Sequence, residues 1–575
     1  MSEQTPANSA LIRSIRRSVI GERQPIDTPF GRKPLVYADY TASGRSLTQI
    51  EDFIRNQVLP YYANTHTETS YTGAQTTALR EQARDMIRTA VNAGEQDAVI
   101  FCGSGATAAI HKLIDILNLR LPADLDQRHQ FRQRIAEAER PVVFIGPYEH
   151  HSNELPWRES IADLVTIPLN AQGQLDTVVL EQQLKRYRQR PLKIGSFSAA
   201  SNVTGVKTDV QAVARLLHQH EALSFWDYAA AAPYVSIDMT GVQNEQGDTS
   251  KDAVFISPHK FIGGPGTPGV LVVKKALLNN RVPAVPGGGT VVYVTPEDHR
   301  YIDAAERREE GGTPAIVESI RAGLVFKLQQ DVGTDEIERR EEEFVRRATE
   351  RWGLCENIEV LGNPDVPRLS ITSLRIRHHG KDLHYGFVVA LLNDLFGIQA
   401  RGGCSCAGPY GHSLLGMDMA YSKALETQML EGQMILRPGW VRLNFNYFID
   451  EDTFEYLLRA IELVAQHGWK LLPYYRFDPA AGVWRYQDSE RRLATRLTDI
   501  RFAESDASVC ETDATVDLNA LTALAEKELT RERSENSVYH LQLPPAAEAL
   551  RWFVLPQEVM PAQETNGDLS KVAIG

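Results

Sequence analysis

Cysteine is scarce in this chain: five in 575 residues, at positions 102, 355, 404, 406 and 510. An odd, scattered set of thiols is not a disulfide framework, and its default state is reduced. Long hydrophobic runs are missing too. No stretch approaches the ~20 apolar residues that a bilayer-spanning helix needs, and the opening MSEQTPANSALIRSIRRSVI has no apolar core of a secretory signal. Basic charge is also in short supply. Lys and Arg number 61 against 74 Asp and Glu, a net of −13. With no basic stripe, this disfavours a nucleic-acid surface. Repeats and low-complexity blocks are absent. What remains is an ordinary globular composition, expected in the cytoplasm. It is too long for one core, and its length suggests roughly three or four domains.

Residues 35–315 alternate short β-branched runs with helical patterns. The runs are Ala98–Cys102, Pro141–Ile145, Lys193–Phe197, Leu223–Trp226, Ala253–Ile256 and Val270–Val273. The alternation predicts an α/β unit with a mostly parallel sheet and helices on both faces. Because the runs are continuous rather than alternating, the strands should be buried on both sides. A smaller α+β unit is expected over 316–475, with a charged helix Asp335–Trp352, a strand Arg368–Arg377 and a helix His384–Leu395. Residues 1–34 read as a partly helical tail joining it. Residues 476–575 change character. Phe477–Tyr486 suggests two short strands around a turn, Asp517 caps a helix running to Glu532, and Leu550–Leu555 suggests another strand. This C-terminal α+β extension is either an interaction or capping module or a structural extension.

Lys260 lies in ISPHKFIGGPGTPGVLVV, after one apolar strand and before a Gly- and Pro-rich run that leads into another. An amine hemmed in there is desolvated, which lowers a lysine pKa and favours Schiff-base chemistry. From the local residues alone, a surface lysine on a loop serves equally well. Gly103-Ser104-Gly105-Ala106-Thr107 follows a strand and opens a helix. It is either a phosphate cradle of free N–H groups at a positive dipole end or a plain tight connection. It matches neither the Walker pattern nor GxGxxG, which argues against a nucleotide. Asp227 closes Leu223–Trp226, where open α/β sheets bind ligands. It would keep a pyridine nitrogen protonated, unless it caps a helix or ligates a metal. In Glu149-His150-His151 an imidazole can stack on a ring and move protons near neutral pH, or serve structure alone. No metal is expected, since further ligands at zinc spacing are missing.

In order, the chain carries a glycine turn, a histidine pair, Asn202, Asp227, His259-Lys260, GGTP and a cysteine loop. Over roughly 35–472 this set resembles the class V aminotransferase family of fold-type I pyridoxal-phosphate enzymes, and within it the cysteine desulfurase and selenocysteine lyase group. The resemblance implies that Lys260 holds pyridoxal 5'-phosphate as a Schiff base. It further implies that Ala106, Thr107, Ser257 and His259 bind the phosphate. His150 would stack on the ring, Asn202 contact the ring oxygen, and Asp227 pair with the pyridine nitrogen. Thr313 would be lent to the site of a second subunit, which makes the enzyme a homodimer. Arg442, in VRLNFNYF, would grip a substrate carboxylate, as guanidinium geometry suits; a structural salt bridge is the alternative. One position departs from the family: Ala230 stands where a glutamine is usual, so a hydrogen bond to the ring oxygen is lost.

Arg401-Gly402-Gly403-Cys404-Ser405-Cys406-Ala407-Gly408-Pro409 resembles the desulfurase loop, with Cys406 as its nucleophile. The resemblance implies conversion of L-cysteine to L-alanine with a persulfide left on Cys406, and a sulfur-acceptor protein as a partner. Two alternatives stand beside it: inert packing cysteines, or an adventitious metal site with His412. A helical stretch Tyr421–Leu430 lies in a long insertion before Arg442. Ala230 and the extension keep open transamination, epimerisation or another C–S or C–C lysis. A cofactor-binding scaffold without turnover is the third possibility.

Overall fold

The computed structural model describes residues 6–65, 67–487, 489, 495–500, 517–533 and 538–559. Cys510 lies outside them. The centre is a seven-stranded sheet of β1 (Asp97–Cys102), β2 (Val142–Ile145), β3 (Asp163–Thr166), β4 (Lys193–Ser198), β5 (Leu223–Asp227), β6 (Ala253–Ile256) and β7 (Gly269–Lys274). Its spatial order is β1-β7-β6-β5-β4-β2-β3. Only β7 runs against its neighbours, pairing antiparallel with both β6 and β1. The mostly parallel α/β sheet expected from the sequence is therefore present. Alternate residues of β1 enter opposite cores: Val99 and Phe101 one, Ala98, Ile100 and Cys102 the other. Burial on both faces is the physical reason these strands read as unbroken apolar runs.

Strand β3 was not anticipated. It is the sheet's edge and is only half-buried, so its sequence DLVT carries no continuous hydrophobic signal. The smaller sheet is antiparallel, in the order Ile358–Val360, Ile371–His378, Trp440–Asn444, Arg401–Gly403. Its long strand begins three residues later than the expected Arg368. Arg368 instead bridges to Val206, and Leu369 N–H donates to the Gly205 carbonyl at 2.8 Å. Two expected helices are found at Thr334–Trp352 and Tyr385–Phe396. At the N-terminus, Val36–Tyr37 pairs parallel with Ile398–Gln399, stitching the leading segment to the smaller sheet.

In the extension, Tyr475–Asp478 and Val483–Tyr486 form the expected hairpin. Asp517 caps Leu518–Thr530 by accepting from Asn519 and Ala520 N–H at 2.9 and 3.1 Å. The strand expected at Leu550–Leu555 is not there. That segment makes a single bridge, Asp382 to Phe553. The Leu550 and Arg551 N–H groups turn back to the Ala547 and Glu548 carbonyls, while Tyr421 Oη donates to the Leu550 carbonyl and Arg551 Nη1 to that of Phe553. With these groups spent locally or on side chains, the ladder goes no further than the one bridge.

Candidate active site

Parallel strands place their carboxyl ends on one edge of the sheet, where ligands bind in open α/β folds. Here that edge bears Cys102, Ser198, Asp227 and Ile256, the last residues of β1, β4, β5 and β6. A cavity of about 210 Å³ opens above it. Of the residues singled out from the sequence, Ala106, Thr107, His150, Asn202, Asp227, Ser257, His259, Lys260, Arg442 and Ala230 all line it. Thr313 and Cys406 do not. Thr313 is exposed, and its Oγ1 accepts from Asn64 Nδ2 at 3.4 Å.

Lys260 ends a tight turn, Pro258–Lys260, immediately after β6. The chain then doubles back into β7 through Gly263 and Gly266, both at positive φ. Burial pushes the Lys260 amine down to about 8; Arg442 and Arg401 add to this, and Asp227 opposes it. Asp227 is raised by burial against the pull of the Ala229 N–H, 2.8 Å from its Oδ1, and of Lys260. His150 caps the helix His151–Arg158, its Nδ1 accepting from Ser152 N–H at 3.1 Å. Nδ1 is thus the acceptor and the ring proton sits on Nε2. Burial, and then Lys260, push His150 down to about 3 and His259 to about 4, so both imidazoles are neutral.

Gly105 opens the helix Gly105–Ile116 at φ +57°, and a Cβ there would sit 2.8 Å from Ser257 Oγ and 2.9 Å from His259 Cε1. Only glycine permits that approach. The neighbouring Ala106 N–H is already used, donating to Ser257 Oγ at 2.8 Å. Thr107 Oγ1 bonds Ser152 Oγ at 2.7 Å, linking the glycine turn to the histidine pair.

The cysteine loop is held over this cavity by its backbone. Asn202 Nδ2 donates to the Ser405 carbonyl at 2.7 Å, and His151 N–H to that of Cys406 at 2.8 Å. Ser405 lines the cavity. Both Ser405 and Cys406 adopt left-handed φ, 54° and 57°, a costly conformation for residues with a Cβ. Both cysteines are half-buried; Cys404 packs beside the core of Tyr148, Ala407, Tyr410 and Trp440. Among the described residues no group of three or more His, Cys, Asp or Glu is arranged to hold a metal.

The roles of two residues beside the site escaped the sequence reading. Glu149 is fully buried beneath the cavity. Its carboxylate accepts from Ser198 N–H and Oγ at 3.0 and 2.6 Å and from Asn153 Nδ2 at 2.7 Å. Burial nevertheless raises it to about 7. Asp39 accepts from Arg442 Nη2 at 2.8 Å. Local sequence flags neither, because the decisive partners, Ser198 for Glu149 and Arg442 for Asp39, lie far along the chain.

The family model for aminotransferase class-V matches residues 36–420. A probable cysteine desulfurase of Halalkalibacterium halodurans is 29% identical over 388 residues, covering 67% of this chain and 87% of that protein. One from Staphylococcus aureus is 28% identical over 395 residues, covering 68% and 87%. An apo cysteine desulfurase from Thermococcus onnurineus aligns with a TM-score of 0.60 at 23% identity, over 75% of this chain and 95% of that one. A cysteine desulfurase from Escherichia coli aligns at 0.57 and 21%, over 75% and 94%. With its sheet order and cavity, the chain belongs to the aminotransferase class-V family and is a pyridoxal-phosphate-dependent enzyme of fold-type I.

Proposed function

We propose that the protein is a cysteine desulfurase-like lyase that converts L-cysteine to L-alanine and keeps the sulfur as a persulfide on Cys406. The observation that supports this most is the seating of the cysteine loop: Asn202 Nδ2 holds the carbonyl of Ser405, which lines the cavity with Lys260, and His151 N–H holds that of Cys406 next to it. The cavity fits pyridoxal phosphate. Gly105 lets Ser257 Oγ and His259 close on the helix start, where a Cβ would meet them at 2.8 and 2.9 Å. Thr41 Oγ1 and Arg442 Nε, on two lining residues, are buried without a hydrogen-bond partner.

Thr107, Ser257 and His259, with the helix start at Gly105, would hold the phosphate. Asp227 would keep the ring nitrogen protonated, and His150 would stack on the ring. When bound, the cofactor supplies an electron sink beside the substrate Cα. Lys260 would carry it between turnovers and take the Cα proton, for which an amine pushed down to about 8 is suited. Arg442 receives the substrate carboxylate. The Cys406 thiolate would attack the substrate sulfur; the new S–S bond forms as the Cβ–S bond breaks, Cβ takes a proton, and Cα regains the one that Lys260 removed, giving alanine. Thr313, exposed outside the cavity, serves the site of a second copy in a homodimer, and a sulfur-acceptor protein discharges the persulfide.

Cys406→Ala should abolish alanine formation while the protein keeps its bound cofactor. Full alanine or sulfide production from cysteine by that variant would refute the reading. A second reading, transamination, epimerisation or another C–S or C–C lysis of a different amino acid, is favoured by one observation. Ala230 lines the cavity without an amide, and Asn202 Nδ2 is spent on the Ser405 carbonyl. An amino-acid screen in which cysteine alone fails to react would establish it. Cofactor binding with no reaction from any amino acid would leave a scaffold.

A further inference from the structure

The C-terminal extension touches the cysteine loop's supports rather than the cavity. Trp552 stacks on Tyr385, with centroids 6.1 Å apart and planes 10° apart, and on His384 at 5.3 Å and 23°. Tyr385 in turn lies against the strand Arg401–Gly403 that leads into the loop. A Cβ on Gly402 would come within 2.7 Å of Tyr385 Cδ2, and one on Gly439 within 2.8 Å of its Cε1 and 2.7 Å of Gly403 Cα. Glycine at 402 and 439 is thus the condition for ring and strand to meet.

The far end of the same stretch is held by the same two residues. His384 Nδ1 accepts from Trp484 Nε1 at 3.1 Å and from Gly386 N–H at 3.0 Å. The proton is therefore on Nε2, which donates to the Ile435 carbonyl at 3.1 Å. Trp552 Nε1 donates to the adjacent Leu436 carbonyl at 3.0 Å. Between these ends, Tyr421 Oη donates to the Leu550 carbonyl at 2.8 Å. The segment from Gly403 to Leu436, which carries Cys404, Cys406 and the insertion, is thus fastened at its start, middle and end by 538–559 or by side chains stacked on it.

We infer that Trp552 is a positioning residue for the cysteine loop, acting through Tyr385 and His384, and that the extension holds the Cys406 thiol in place. This rests on the proposed reaction only in taking Cys406 as the working thiol. The strained φ values at Ser405 and Cys406 give the loop a conformation to lose when its supports loosen.

The test is iodoacetamide alkylation of the full-length holoenzyme, read by peptide mass spectrometry with Cys355 as the internal reference. Cys355 lies beside Arg351 and Glu462, away from the loop. Trp552→Ala should raise the alkylation rate of Cys406 about tenfold relative to Cys355 through local opening. Trp552→Phe, which keeps a ring but loses the N–H to Leu436, should restore most of the protection and covers the case in which the alanine variant folds poorly. Tyr385→Leu should reproduce Trp552→Ala, and the double variant should add little. In turnover, kcat should fall with KM nearly unchanged, because the thiol moves and the substrate pocket does not. A Cys406 rate within twofold of the unaltered protein would overturn the inference, as would a rise shared equally by Cys355. If cysteine proves not to be a substrate, the alkylation result still decides the loop relationship, so the two readings fail separately.

Discussion

Arg442 Nη2 lies 2.8 Å from Asp39 Oδ1, a contact that joins positions 403 residues apart. The Arg442 side chain is 3% exposed and that of Asp39 16%. Arg442 also donates to the Asn202 carbonyl at 3.0 Å through Nη1. The guanidinium proposed for a substrate carboxylate is thus already engaged by a carboxylate of the protein. On the proposed reading, Asp39 is a stand-in that an incoming substrate must displace or share. Asp39→Asn should lower KM for the amino acid about threefold to tenfold, since a neutral amide competes less well. It should also cost about 1–3 kcal/mol of stability through the weakened charge-assisted bond. Steady-state kinetics beside thermal unfolding would separate the two effects. An unchanged KM would mean the pair is structural.

The pH dependence of cofactor loading follows from Lys260. Its charged form is disfavoured by burial, so the neutral, reactive amine appears at lower pH than for a free lysine. Reloading of cofactor-free protein should rise through about pH 8 rather than through the ordinary 10.5, and fall about tenfold per unit below that. Borohydride trapping and mass spectrometry of the Lys260 peptide would measure it. The linkage has the same sign. A depressed lysine pKa means the unfolded chain binds the proton more readily between about 8 and 10.5. Lys260's contribution to stability is therefore present above the unfolded value and lost as pH falls through the folded one.

Gly105→Ala should empty the site while sparing the fold. The new methyl would meet Ser257 Oγ and His259 at under 3 Å, at a residue with φ +57°. Cofactor retained after gel filtration should drop at least about tenfold, with a stability loss of about 1–2 kcal/mol.

The two loop cysteines should part company. Cys404 packs beside the cluster around Trp440, so Cys404→Ala should cost about 1 kcal/mol for a small cavity and leave persulfide formation intact. Persulfide trapping with a dye-labelled thiol reagent would show whether sulfur resides on Cys406. A label found on Cys404 would reverse the assignment.

Much of the architecture was legible because burial on both faces writes itself into residue type. Six of the seven central strands announced themselves as continuous apolar runs, and the one that did not, Asp163–Thr166, is the half-exposed edge. In the extension, Asp517 was readable as a cap because capping is local, with acceptor and donors two and three residues apart. Leu550–Leu555 was misread because β-propensity says nothing about whether a partner strand exists.

Sequence alone determined the ingredients of the site and their order, from the glycine turn through His150, Asn202, Asp227 and Lys260 to the cysteine loop and Arg442, because each sits in a short motif whose backbone demands are local. Tertiary structure decided what those residues are bound to. It gave Arg442 to Asp39, the Asn202 amide to the Ser405 carbonyl, and the Ala106 N–H to Ser257. It also set Trp552 on Tyr385 behind the loop. Such pairings join residues more than 150 positions apart, and no local pattern of charge, turn or hydrophobicity encodes a partner at that distance.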